Sequence, residues 1–287
     1  MDFTQISLAL CLALLIASVE CKQVLVDLSH SLNADNHRWP TNDKFELIVV
    51  ANGTLDNGKW YASNNVRFSE HTGTHLDAPA HFASFDGVYS AATIPVERNL
   101  KTKCISHCRL VGPLSVINLK EKSDADRDYR VTADDIISYE KEFGKIPEGG
   151  IVIFDFGWSQ YWNDFEGAFG SQSNDTTTFH FPGLGMDAAE LLVDRGVYGV
   201  GIDTPSVDYG PSQDFPVHYY LHGRNIYHLE NVGSMSALPK GGEGVTLVVG
   251  AMKIDGALGD QSVLLPCLMK KNRLYPRQLS QDTEYLC

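Results

Sequence analysis

Met186-Asp-Ala-Ala-Glu-Leu-Leu-Val-Asp-Arg195, then Gly196, then Val197-Tyr-Gly-Val-Gly-Ile202 is the stretch that decides the fold class. Its first part is a helix, closed by the glycine at its end, and the chain returns at once as a short apolar strand running into Asp203-Thr-Pro205. The same alternation appears upstream. Thr132-Ala-Asp-Asp-Ile-Ile-Ser-Tyr-Glu-Lys-Glu-Phe143 is an amphipathic helix with Thr132 as N-cap and Gly144 as terminator, and Ile151-Val-Ile-Phe-Asp-Phe156 follows the Gly149-Gly150 turn as a buried strand. Val24–Leu28 and Phe45–Val50 read as strands near the start, and Val245–Val249 with Ala251–Ile254 as a strand pair near the end. Strands interleaved with a few helices give an α/β class. No repeat or Pro-rich linker divides the chain, so a single domain is expected from about Val24, followed by a polar appendage after Pro266 that ends at Cys287.

Composition narrows the function. A formal net charge of −13, with scattered Lys and Arg, argues against binding a phosphate backbone, and no nucleic-acid partner is expected. Ile6 to Ala17 is an apolar run of signal-peptide length, too short to span a bilayer, although the preceding residues carry Asp2 and no Lys or Arg. Residues 1–21 therefore read as a signal peptide cleaved between Ser18 and Cys21. The mature protein is expected to be secreted and soluble, without a membrane anchor. The sequons Asn52-Gly-Thr54 and Asn174-Asp-Thr176 lie in polar stretches that read as surface loops, as glycosylation requires. Cys104, Cys108, Cys267 and Cys287 form the mature cysteine set, and disulfides suit an oxidising compartment. Lys103–Val111 reads as a strand, which would hold Cys104 and Cys108 roughly 13 Å apart, too far to pair with each other. A zinc knuckle with His107 lacks a second Cys pair.

Chemistry concentrates in His71-Thr-Gly-Thr-His75-Leu-Asp77-Ala-Pro-Ala-His81. Four metal-competent side chains within eleven residues point to a metal site. A strand would place His71 and Asp77 roughly 20 Å apart, and a helix would turn Asp77 away from His71 and His75. Neither brings three donors to one ion, so the segment must bend. Gly73 supplies the freedom, and Pro79 is expected to end any helical turn.

This run resembles the signature of the cyclase family, which includes bacterial kynurenine formamidases and isatin hydrolases. Further matches follow in order: Trp39-Pro40, Gly157-Trp158, Pro182-Gly183, Gly201-Ile-Asp-Thr-Pro-Ser206, and His218 with Glu230. The likeness runs from about Val24 to Ile254 and implies one cyclase-like domain over 22–266, with a mixed β-sheet or barrel core and a few flanking helices. It implies His71, His75 and Asp77 as ligands of a first metal, with Asp77 able to bridge to a second, and His218 and Glu230 as completing the site. By residue chemistry alone, His222 and His228 compete with these last two. The resemblance also implies His81 as the catalytic histidine, Trp39 as a substrate contact and a homodimer as the usual assembly.

The implied reaction is metal-dependent hydrolysis of a small amide or cyclic amide: arylformamidase-like, from N-formylkynurenine to kynurenine and formate, or isatin hydrolase-like. One or two divalent ions, zinc or manganese, would polarise the carbonyl and acidify water, and His81 would shuttle the proton. Secretion departs from the cytosolic bacterial enzymes and weakens the transfer of a tryptophan-catabolic role. Trp158, Tyr161 and Trp162 suit either a pocket wall or the core. Asp155, Ser159 and Ser206 could suggest a serine hydrolase, but no G-x-S-x-G elbow is present. The competing reading is a secreted metal-binding protein that binds a small molecule without catalysis.

Overall fold

The computed structural model describes residues 23–96 and 108–269. Leu25–Cys267 form one compact unit. The strands are β1 (Gln23–Leu25), β2 (Glu46–Thr54), β3 (Trp60–Arg67), β4 (His75–Asp77), β5 (Val111–Asn118), β6 (Arg130–Val131), β7 (Ile151–Asp155), β8 (Gly183–Leu184), β9 (Gly199–Ile202), β10 (Tyr227–Glu230), β11 (Val245–Ala251) and β12 (Gly259–Met269). The α-helices are α1 (Lys120–Ala125), α2 (Ala133–Phe143), α3 (Phe165–Phe169), α4 (Met186–Asp194) and α5 (Pro216–His222).

Seven strands in the order β12-β11-β5-β7-β9-β10-β4 close on themselves through a β12–β4 pairing, which makes a mixed barrel. β5, β7, β9 and β10 run parallel, because helical segments cross between them. Their buried runs are apolar, as strands covered on both sides must be. β4 joins antiparallel to β10 on one side and to β12 on the other, so the seam of the barrel is the metal-motif strand itself. α2 and α4 bury their apolar stripes against the parallel strands. Ile136 of α2 and Ala188 and Leu192 of α4 meet Val152, Phe154, Val200 and Ile202 in one core cluster. Each large side chain buried this way contributes about 1.5–3 kcal/mol. α2 begins as its sequence predicts: the Thr132 hydroxyl accepts from the Asp135 amide at 3.3 Å, and the Asp135 carboxylate accepts from the Thr132 amide at 2.8 Å.

Three local expectations change. Ala251–Ile254 is not a strand paired with its predecessor. β11 runs on to Ala251, Gly256 in the left-handed region (φ 80°) supplies the reversal, and the next strand is β12, which continues past Pro266 to Met269. Of the expected strand Lys103–Val111, residues 103–107 lie outside the described residues, Arg109 and Leu110 form a turn, and only Val111 is in a strand. Asn52 sits inside strand β2 opposite Ala62 rather than in a loop, though it is exposed, whereas Asn174 is exposed in irregular chain. Cys108 and Cys267 are half-buried and form no disulfide among the described residues, and Cys104 and Cys287 lie outside those residues.

Candidate metal centre and active site

The metal motif folds by combining three local devices. Gly73 adopts φ 78°, where a Cβ would lie 2.4 Å from Leu32 Cδ2 and 2.9 Å from Gln261 Nε2, so only glycine makes this bend. Beyond it, His75-Leu-Asp77 is a three-residue strand whose alternation sends His75 and Asp77 to one face and Leu76 to the other. Pro79 then occupies the first position of a 3₁₀ turn, Pro79–His81. The proline starts that turn rather than ending one, because its fixed φ and missing N–H suit a helical first position. The turn carries His81 back over the motif, where its ring stacks on His71 with centroids 4.1 Å apart.

The bend also lets His71 reach Asp77. His71 Nδ1 lies 2.5 Å from Asp77 Oδ1, and His75 Nε2 lies 3.2 Å from the same oxygen. β10 and α5 supply the rest. His218 Nε2 stands 3.6 Å from Asp77 Oδ2 and 3.3 Å from Glu230 Oε1, while His75 Nε2 is 3.5 Å from Glu230 Oε2. All five sequence-predicted ligands therefore meet at one place, and all but His71 are buried. Donor atoms of His71, His75 and Asp77 lie within 4.8 Å of one another, and so do those of Asp77, His218, His228 and Glu230, so Asp77 belongs to both groups. His228 is the addition that residue chemistry alone did not separate from its neighbours.

Outer contacts fix which ring nitrogens face inward. The Gly73 carbonyl takes His75 Nδ1 at 2.9 Å, and the Asp208 carboxylate takes His218 Nδ1 at 2.7 Å, leaving both Nε2 atoms directed at the carboxylates. Asp208 is held in turn by the Val217 and His218 amides at 3.0 and 3.1 Å, and Glu230 Oε1 by the Val207 amide at 3.0 Å. Asp208 escaped the sequence reading, since nothing in its spacing marks it as the partner of a histidine ten residues on.

The electrostatics call for a cation. Burial opposes charge on His75, yet Asp77 and Glu230 outweigh it and push the imidazole up to about 9. Burial likewise opposes charge on His218, and Asp208, Asp77 and Glu230 raise it well above its usual value. Burial alone would raise Asp77, but His71 and His75 hold it well below the carboxylate range. Positive charge must sit among these groups, as protons or as a metal ion. His75 Nε2 is buried and, although 3.2 Å from Asp77 Oδ1, makes no well-aligned hydrogen bond among the described residues, which suits a metal ligand. The donor set fits a divalent metal. His81 behaves oppositely: burial pushes it down to about 4, so it is neutral at physiological pH.

These groups open into a cleft of about 240 Å³. Trp39 lines it, half-buried and edge-on to Phe169, Phe179 and Phe215 at 5.5–6.3 Å between centroids. Phe82, Phe169 and Phe215 add walls, and the buried Ser206 hydroxyl lacks a hydrogen-bond partner among the described residues. Trp158 and Trp162 are buried and Tyr161 packs against the core; none of the three lines the cleft.

A family model described as "Putative cyclase" matches residues 26–209. The isatin hydrolase of Roseibium aggregatum is 31% identical over 245 residues, covering 84% of this chain and 88% of that protein. The kynurenine formamidase of Bacillus anthracis is 24% identical over 216 residues, covering 72% and 81%. Among solved structures, an isatin hydrolase bound to the product analogue thioisatinate superposes with a TM-score of 0.74 at 26% identity, covering 94% of this chain and all of that one.

Proposed function

The chain belongs to the cyclase family of metal-dependent hydrolases, and we propose that it opens a small aromatic cyclic amide, as an isatin hydrolase does. The observation that carries this reading is one cleft in which two overlapping donor groups, a neutral histidine and a ring of aromatic side chains come together. Its volume suits a flat bicyclic ring and excludes a folded polypeptide. The broader match to an isatin hydrolase favours a lactam over an open-chain formamide, and N-formylkynurenine is the comparison substrate.

His71, His75 and Asp77 would hold one ion, and His218 and Glu230 a second with Asp77 shared; zinc and manganese both suit these donors. A bound ion would supply Lewis-acid chemistry, polarising the carbonyl and making water more acidic. Trp39, Phe82, Phe169 and Phe215 clamp the substrate ring, and the Ser206 hydroxyl is a free donor for a carbonyl oxygen. His81 takes the water proton on a ring nitrogen as the new C–O bond forms, then delivers it to the amide nitrogen as the C–N bond breaks. The products are a carboxylate and an amine. Asp208 holds the tautomer of His218 throughout.

The test is turnover of isatin and N-formylkynurenine by purified protein before and after chelation, and after repletion with manganese or zinc. Turnover that disappears with chelator and returns with metal is expected. A metal-replete protein that turns over neither substrate would leave the non-catalytic binder as the better reading.

The chain is also proposed to be a secreted glycoprotein and a homodimer. Secretion rests on the apolar run Ile6–Ala17 and on two sequons whose asparagines are exposed. Disulfides among the four mature cysteines go with secretion. Dimerisation is supported by the β2–β3 hairpin, where Leu47, Val49, Val50 and Trp60 are 57–68% exposed. A two-stranded ribbon with such a surface has marginal stability alone and gains by being covered.

A further inference from the structure

His228 and His222 stand out because the chemistry above uses neither. Both are fully buried, and none of their four ring nitrogens has a hydrogen-bond partner among the described residues. A buried imidazole left unpaired is costly, and such groups call for an unseen ion or water. Their placement is ordered. β10 alternates so that His228 and Glu230 share a face, and its antiparallel register with β4 puts His228 opposite Asp77 and Glu230 opposite His75. His228-Leu-Glu230 thus mirrors His75-Leu-Asp77 across the barrel seam, making a patch of four donors on one face of a two-strand ladder. His218 meets this patch from α5, its ring edge-on to His228 with centroids 4.9 Å apart. His222, one turn further along α5, stacks on His228 at 4.1 Å and 22°, which fixes the plane of that ring.

We propose that His228 is a ligand of the second divalent ion, completing a buried site of two histidines and two carboxylates with Asp77, His218 and Glu230. The inference rests on the metal-hydrolase reading above. The four donor atoms lie within 4.8 Å of one another, and donors around an ion at about 2.1 Å sit up to roughly 4 Å apart, so closure by less than an ångström brings all four to it. Glu230 and the shared Asp77 each place a carboxylate beside the second ion. Asp77, His218 and Glu230 line the cleft while His228 does not. His228 therefore adds its nitrogen away from the cleft and leaves the substrate side of the ion open.

The experiment is reconstitution of metal-stripped full-length protein, wild type, His228→Leu and His228→Gln, with zinc and with cobalt. Equilibrium dialysis with elemental analysis reads stoichiometry and affinity, X-ray absorption on the cobalt form counts imidazoles, and circular dichroism checks folding. Two ions per wild-type chain are expected, with the second bound at least about tenfold more weakly in both variants and the first unchanged. The average cobalt shell should fall from about two imidazoles to about one and a half as one of the four shared between the two ions is lost. Two ions bound with unaltered affinity in either folded variant would show His228 to be a bystander. A single ion in wild type, unaffected by either substitution, would sink the inference and leave the hydrolase reading standing, whereas no ion at all would sink both. If both variants misfold, the wild-type imidazole count decides: four shared between two ions supports the proposal, and three overturns it.

Discussion

Gly259→Ala tests how tightly the barrel seam grips His71, a proposed ligand of the first ion. Gly259 begins β12, opposite Asp77 of β4, and its amide donates to Glu70 at 2.9 Å, so this backbone is held on both sides. A Cβ there would lie 2.5 Å from His71 Cε1 and 2.8 Å from Nδ1, against an ordinary contact distance near 3.5 Å. Something must move by about 1 Å, and the strand is pinned. His71 is the part that yields, but it is stacked on His81 and faces Asp77 at 2.5 Å. A displacement of about 1 Å at a reacting centre can cost about 10²-fold in rate. The expected result is a kcat roughly 10²-fold lower, weaker binding of the first ion and a thermal transition that remains cooperative. The assay is lactam turnover alongside metal content of the dialysed protein. Activity and metal content both within twofold of wild type would refute the reasoning, because His71 would then not need its position.

Other substitutions separate the roles. His81→Ala should retain metal yet lose about 10²–10⁴-fold, chiefly in kcat; loss of metal with the side chain would make His81 a ligand instead. Asp208→Asn removes the acceptor that fixes His218 and should weaken metal affinity about 10–100-fold without unfolding the protein, as read by competition with a chromophoric chelator. Because His75 is raised to about 9, it is protonated in the metal-free protein at neutral pH, so ion binding should release protons and tighten as pH rises towards 9; calorimetry in buffers of differing ionisation enthalpy measures this, and buffer-independent heats would contradict it. The same shift stabilises the metal-free fold fully below about pH 6.5, and that stability is lost as pH rises through about 9. Secreted protein should begin between Val19 and Lys22 and carry glycan at Asn52 or Asn174, which N-terminal sequencing and intact mass before and after deglycosylation would establish.

How far the sequence reveals the protein depends on how local each constraint is. α2 and α4 were legible because their caps, periodicity and closing glycines lie within a dozen residues, and β7 because its buried run Ile151-Val-Ile-Phe154 is apolar. The metal motif was legible as chemistry and its bend followed from exclusion, since no regular element could bring His71, His75 and Asp77 together. Other features depend on contacts made at long range. Pro79 opens a turn instead of ending one because the register of β4 between β10 and β12 decides where the chain must turn. β11 pairs with β5 along Thr246–Val248 and runs on to Ala251 beside β12, and no signal inside Ala251–Ile254 records those pairings. His228 is the sharpest case. His218, His222 and His228 have identical side chains within eleven residues, and spacing alone cannot rank them. Register ranks them at once: opposite Asp77 and two residues from Glu230, His228 has a donor's address in the ladder, whereas His222, on the same helical face as His218, has only a stacking partner there. The alternation His-Leu-Asp against His-Leu-Glu was present in the sequence as two separate triplets. It becomes a site only when the barrel closes and β4 lies beside β10.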